Sequence, residues 1–155
     1  MRAFLALGSN LGDRGDHLRT AVDGLPDIVR RSSVYETAPV GGPDAQGAYL
    51  NMVVQLDTEL GPRALLDACR QAEAEGGRER NERWGPRTID VDIVWIDGVN
   101  VAEPDLQIPH PRMSERAFVL APLEELAADV VPLGWRDALG DDGVVCLGDV
   151  EDAPP

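Results

Sequence analysis

The chain has 155 residues, with 14 basic side chains, every one an arginine, against 28 acidic ones, for a net charge of −14. That length makes one domain with room for a real core, and the acidic balance argues against broad nucleic-acid or anionic-membrane binding. No apolar run is long enough to span a bilayer and the apolar stretch to Leu7 is too short for a signal-peptide core, while Cys69 and Cys146 lack metal-ligand spacing; a soluble cytoplasmic domain with reduced thiols is expected.

Ala3 to Leu7 reads as a first strand, turned at Gly8-Ser9-Asn10. Leu11, Leu18, Val22 and Leu25 then recur at helical spacing, with Asp13 and Asp16 near the positive helix end. Gly8 to Gly12 lacks the spacing of a phosphate loop and is read as a strand-to-helix turn, and His17 as surface. Ile28 to Thr37 reads as one strand, and 38–48 as a long connection rich in Gly and Pro. Tyr49 to Thr58 alternates as a third strand, with Tyr49 and Asn51 on one face. Gly61-Pro62 opens a helix whose core stripe is Leu65, Leu66, Cys69 and Ala72, ended by Gly76-Gly77. Asp97-Gly98 signals a hairpin into a strand at Val99 to Val101. Pro104 to Met113 reads as irregular, with His110 held between Pro109 and Pro111. A last helix is expected over Phe118 to Ala128, starting near Ala121 to Leu123 because of Pro122. Val144 to Leu147 could add a small strand. One domain over residues 1–148 is expected, with 149–155 a frayed acidic tail. The order β-α-β-β-α-β is that of an α+β, ferredoxin-like fold: an antiparallel sheet with helices packed on one face.

Residues 78–96 combine two chemistries. A polar loop carries Arg78, Arg80, Arg83 and Arg87 around Trp84 and Gly85-Pro86. An apolar strand then follows, interrupted by Asp90 and Asp92. Alternation with Ile89, Val91 and Ile93 puts both carboxylates on one strand face. Two such carboxylates repel unless a cation lies between them, and with no His or Cys nearby they favour Mg²⁺ or Mn²⁺ over zinc. Arginines beside a carboxylate–metal pair suit a polyphosphate. The plain alternative is a solvated edge strand salt-bridged to the loop; the coincidence of strand, arginines and turn favours the metal reading.

Elsewhere the residues leave more open. Loops as long as 38–48 are often lids or binding loops, or simply surface. Tyr49 offers a flat wall and Asn51 a donor and acceptor for a heterocycle edge, yet both could be ordinary half-buried residues. Trp84 has no obvious core to enter and could cover a ligand, whereas Trp95 continues the apolar strand. His110 could touch a phosphate or hydrogen-bond backbone, with Arg112 and Arg116 adding positive charge nearby.

Four blocks taken together resemble the 6-hydroxymethyl-7,8-dihydropterin pyrophosphokinase family: residues 7–14, residues 32–43 leading to Tyr49-Leu50-Asn51, residues 83–93, and residues 109–118. The resemblance implies pyrophosphoryl transfer from ATP to the hydroxymethyl oxygen of the pterin, releasing AMP, with two Mg²⁺ ions held by Asp90 and Asp92. It implies that Arg78 and Arg87 grip phosphates as catalytic residues, supported by Arg80 and Arg83. For the pterin it implies Thr37, Val40, Tyr49, Asn51, Trp84 and Phe118. For ATP it adds Glu73, Ile93, His110 and Arg116 to the four loop arginines. Residues 97–107 do not follow the family closely enough to carry contacts over, and the chain after Asp129 matches nothing. A monomer is expected, with no nucleic-acid or membrane partner. The competing readings are a metal-dependent nucleotide phosphohydrolase on the same scaffold, which would need no pterin, and a non-catalytic binding module.

Overall fold

The computed structural model describes residues 1–38, 47–76, 88–141 and 143–155. Strand β1 (Arg2–Ser9) leads to helix α1 (Arg14–Gly24), whose start is capped by the Asp13 side chain accepting the Asp16 N–H at 3.0 Å. Short strands β2 (Ile28–Arg31) and β3 (Val34–Thr37) follow, then β4 (Tyr49–Asp57), α2 (Pro62–Glu75) and β5 (Asp90–Ile96). Beyond these lie β6 (Val101–Glu103), β7 (Leu106–Ile108), α3 (Ala117–Leu126), α4 (Trp135–Leu139) and β8 (Val144–Gly148).

The main sheet runs β5-β1-β4-β3-β8, with β2 also pairing β4, and all its pairings are antiparallel. Alternation sends Ala3, Leu5, Leu7, Leu50, Met52, Val54, Val91 and Ile93 to one face, where Leu18 and Ala21 of α1 and Leu65, Cys69 and Ala72 of α2 cover them. Phe4, Val53 and Val94 point to the other face, against Val119, Leu120, Leu123 and Leu126 of α3 and Trp135 of α4. The ferredoxin-like arrangement is thus present, but helices cover both faces rather than one, because α3 is apolar enough to bury most of its circumference.

Several local expectations are corrected. The strand expected over Ile28 to Thr37 breaks at Ser32-Ser33, where Ser32 takes over ladder bonding: its Oγ accepts the Val53 N–H and its N–H donates to the Val53 carbonyl, both at 2.9 Å. The Asp97-Gly98 turn forms, with Gly98 at φ +71, but no β5 hairpin follows; Val101–Glu103 pairs instead with Leu106–Ile108 in a separate two-stranded sheet. Part of the segment expected to be irregular is therefore strand. Helix α3 begins at Ala117, before Pro122, which removes one helical N–H while burying its ring with its neighbours. Finally, the tail expected to fray is docked. Val150–Asp152 forms a 3₁₀ turn, Val150 is fully buried, and the Gly15 N–H donates to the Pro154 carbonyl at 3.0 Å.

Candidate active site

Strand β1 lies between β4 and β5, and its end is built from the smallest side chains. Gly8 faces Asn51 on one side and Asp90 on the other; Ala6 faces Val53 and Asp92. Directly paired residues share a face, so both aspartates and the Asn51 amide look out from the same side of the sheet, as alternation anticipates. Two strand spacings, about 10 Å, separate them. The rows continue across the sheet, pairing Asn51 with Tyr35 and Tyr49 with Thr37. Phe118 opens α3 over this same face, its ring 5.6 Å from the Arg116 guanidinium carbon.

Asn51 is buried and fixed. Its Nδ2 donates to the Thr37 Oγ1 at 2.9 Å, and its Oδ1 lies 3.1 Å from where a β-carbon on Gly8 would stand. Thr37 is likewise buried and Tyr49 half-buried. The structure therefore brings Thr37, Tyr49 and Asn51 together, and Gly8 is the neighbour that sequence reasoning left as a turn residue. Its signal was a glycine that continues an apolar strand.

At the outer edge of β5 an open cleft of about 240 Å³ is bordered by Asp92, Ile93, His110 and Leu106, among others. Leu66 and Gln107 also line it. Leu66 was assigned to the core stripe, but it is only half-buried, because it sits at the border of the α2 stripe. On the other side of Asp92, a small depression joins it to Ala6, His110 and Arg116. Asp92 and His110 thus border both hollows.

The His110 backbone N–H donates to the Val94 carbonyl at 2.9 Å, hanging the segment on β5. Its Nδ1 accepts the Arg112 N–H at 3.1 Å. Burial lowers the imidazole's proton affinity; the Asp92 charge opposes that, and Arg116 and Arg112 reinforce it. A neutral ring whose Nδ1 accepts must carry its proton on Nε2, which makes Nε2 a donor.

Glu73, expected to line a nucleotide pocket, is buried, and its Oε2 accepts the Val91 N–H at 3.2 Å. In this position it holds the edge strand between the two aspartates. Behind it, burial pushes the Cys69 thiol up to about 12, with the charges of Asp92 and Glu73 adding to the effect. That thiol is no nucleophile.

Sequence reasoning also missed the anchor of the aspartate strand. Ser9, fully buried, donates its hydroxyl to the Thr88 carbonyl at 2.5 Å, and His17 Nδ1 lies 3.5 Å from the same hydroxyl. His17, read as surface, is half-buried over this link. Val40, Arg78, Arg80, Arg83, Trp84 and Arg87 lie outside the described residues. Among the described residues no cluster of three or more His, Cys, Asp or Glu could hold a metal, and no helix is long and apolar enough to cross a membrane.

Comparison with known proteins agrees with this geometry. The model of the 7,8-dihydro-6-hydroxymethylpterin-pyrophosphokinase family matches residues 4–128. The 2-amino-4-hydroxy-6-hydroxymethyldihydropteridine pyrophosphokinase of Bacillus subtilis is 49% identical over 133 residues, covering 83% of this chain and 79% of that one. The enzyme of the same name from Methylorubrum extorquens is 47% identical over 135 residues, covering 84% and 85%. Among solved structures, an HPPK-DHPS in complex with substrates superposes with a TM-score of 0.58 at 14% identity. That match covers 81% of this chain and 40% of the longer one, and it shows the shared fold. With the family match spanning most of its length and relatives at 47–49% identity aligned along 79–85% of theirs, the chain belongs to the 7,8-dihydro-6-hydroxymethylpterin-pyrophosphokinase family.

Proposed function

We infer that the chain transfers a pyrophosphoryl group from ATP to the hydroxymethyl oxygen of 6-hydroxymethyl-7,8-dihydropterin, giving the pterin diphosphate and AMP, a step of folate biosynthesis. One observation carries the assignment of parts: the Asp90 and Asp92 carboxylates and the Asn51 amide share a sheet face with only Gly8 and Ala6 between them. An acceptor read by Asn51 therefore lies within molecular reach of a triphosphate gathered at the aspartates.

At the acceptor end, the Asn51 amide, held by Thr37, reads the heterocycle edge, and Tyr49 and Phe118 flank its faces. At the nucleotide end, the cleft along Ile93 and Leu106 takes the base. His110 Nε2–H and the Arg116 guanidinium donate to phosphate oxygens. Arg78, Arg80, Arg83 and Arg87 are assigned to phosphate, and Val40 and Trp84 to the pterin, on the sequence motif alone.

Asp90 and Asp92 fit Mg²⁺ as a donor set: two oxygen ligands, half-exposed and exposed, on one face, with the remaining positions left to phosphate and water. Two ions are proposed, following the family resemblance. When bound, Mg²⁺ supplies charge neutralisation along the triphosphate and in the transition state. A monomer of 16.7 kDa is proposed, following the sequence reading, and a reducing cytoplasm suits the two free thiols, Cys69 and Cys146.

The test is an assay with ATP and Mg²⁺, with and without the pterin, separating AMP from ADP. AMP formed only with the pterin is expected. ADP, or product without the pterin, would replace this reading with a hydrolase or a simple kinase.

A further inference from the structure

The segment after residue 128, which the family match leaves uncovered, passes from one face of the sheet to the other. Trp135 of α4 enters the core under α3, β8 pairs with β3, and Val150 and Ala153 then pack against α1 on the opposite face. The docking is specific. A β-carbon on Gly15 would come 2.7 Å from the carbonyl oxygens of both Ala153 and Pro154, so only glycine allows this approach. Arg19 Nη1 donates to the carbonyls of Val150 at 3.0 Å and Ala153 at 3.3 Å.

Arg14 connects this segment to the site. Its Nε and Nη2 grip the Pro155 main-chain oxygen at 3.1 and 3.0 Å. Its Nη1 donates to the Glu36 carboxylate at 3.0 Å and to the Ala48 carbonyl at 2.9 Å. Glu36 immediately precedes Thr37 on β3, Ala48 immediately precedes Tyr49 on β4, and Thr37 and Tyr49 form the terminal rung of that ladder. One guanidinium thus straps the two strands together at the rung that holds the Asn51 amide through the Thr37 hydroxyl. The Arg14 side chain is 17% exposed, so the tie is better shielded than an ordinary surface pair.

We propose that Arg14 is a positioning residue for the pterin end of the site, and that the C-terminal segment sets its geometry by holding the other prong of the fork. This rests on the assignment of the pterin to Thr37, Tyr49 and Asn51. Strand ends fray unless tied, and an amide that recognises a heterocycle needs its orientation fixed. The aspartates on β5, two strands away, are anchored separately through Ser9 and Glu73. Loosening the Arg14 tie therefore weakens the pterin and spares the nucleotide.

The experiment measures the Kd of pterin in the presence of a non-hydrolysable ATP analogue, the Kd of that analogue, and kcat and KM. It uses the full chain as wild type, Arg14→Ala, Arg14→Lys and Gly15→Ala. Gly15→Ala displaces the tail while keeping Arg14 and Glu36, so it remains informative if Arg14→Ala folds poorly. Charge-assisted hydrogen bonds support an increase of about tenfold in pterin Kd and KM for Arg14→Ala and Gly15→Ala, with analogue Kd and saturated kcat little changed. Arg14→Lys, a point charge without the fork, should recover only part of the loss. Unchanged pterin binding in the folded variants, or parallel weakening of pterin and nucleotide, overturns the proposal alone. A wild type that binds no pterin overturns the substrate assignment and the proposal with it.

Discussion

Gly8 and Asn51 face one another across the β1–β4 ladder, with the Asn51 Oδ1 3.1 Å from the place a Gly8 β-carbon would take. The other end of the amide is held by Thr37 at 2.9 Å, so it cannot turn aside without losing that bond. Gly8→Ala should therefore raise the pterin KM by about tenfold, the cost of roughly one well-placed hydrogen bond, with the fold intact by circular dichroism. Calorimetric titration checks this; an unchanged pterin affinity would mean that the amide does not read the ligand.

Asp92 is exposed at the junction of two hollows and makes no contribution to either hydrophobic core. Asp92→Asn keeps the shape and removes the charge. Loss of one electrostatic partner of the transition state costs about 10²–10³ in kcat, whereas exposed substitutions shift stability by only about 0.5 kcal/mol. AMP release at saturating substrates, read beside a thermal melt, separates the two effects. Near-normal turnover would sink the metal assignment.

His110 gives the enzyme a pH signature. Burial holds its folded-state proton affinity below the ordinary value of 6.5, so the unfolded chain binds the proton first as the pH falls. Stability from this residue is present above that value and declines as the pH drops below it. His110→Gln should flatten the loss of Tm between neutral and mildly acidic pH while its amide keeps a donor near the Nε2 position, and His110→Ala, which has none, should also weaken ATP binding near neutrality. An unaltered pH profile of Tm would refute the half-buried neutral ring.

Glu73 separates support of the strand from contact with the nucleotide. Glu73→Ala strands the Val91 N–H and should cost about 1–3 kcal/mol in urea unfolding. Glu73→Gln retains an oxygen acceptor and should cost clearly less. If both fold equally well but bind ATP poorly, the carboxylate serves the ligand rather than the strand.

Much of the site was legible because strand alternation is a local property. Asp90 and Asp92 share a face, as do Tyr49 and Asn51, and the ladder only had to lay one pair beside the other. What the sequence could not convey was long-range. Ser9 meets Thr88 from 79 residues away, and Arg14 meets Pro155 from 141. The second helical layer depended on α3 tolerating Pro122, where a local rule argued for a later start. The Asp97-Gly98 turn was recognised, yet which strand would pair with Val101 was settled by Leu106 and Ile108, whose burial in the first-face core fixes the small sheet.

The position of β5 carries one more consequence. It is the outermost strand on its side of the main sheet among the described residues, the kind of border that can template pairing with a foreign chain. Here the Val94 carbonyl is occupied by the His110 N–H and the Val91 N–H by Glu73. The segment that carries the proposed phosphate donor His110 therefore also fences the sheet against self-association. Changes that loosen it for the sake of faster product release would surrender solubility as well, which ties the freedom to redesign the nucleotide end to the chain's resistance to aggregation.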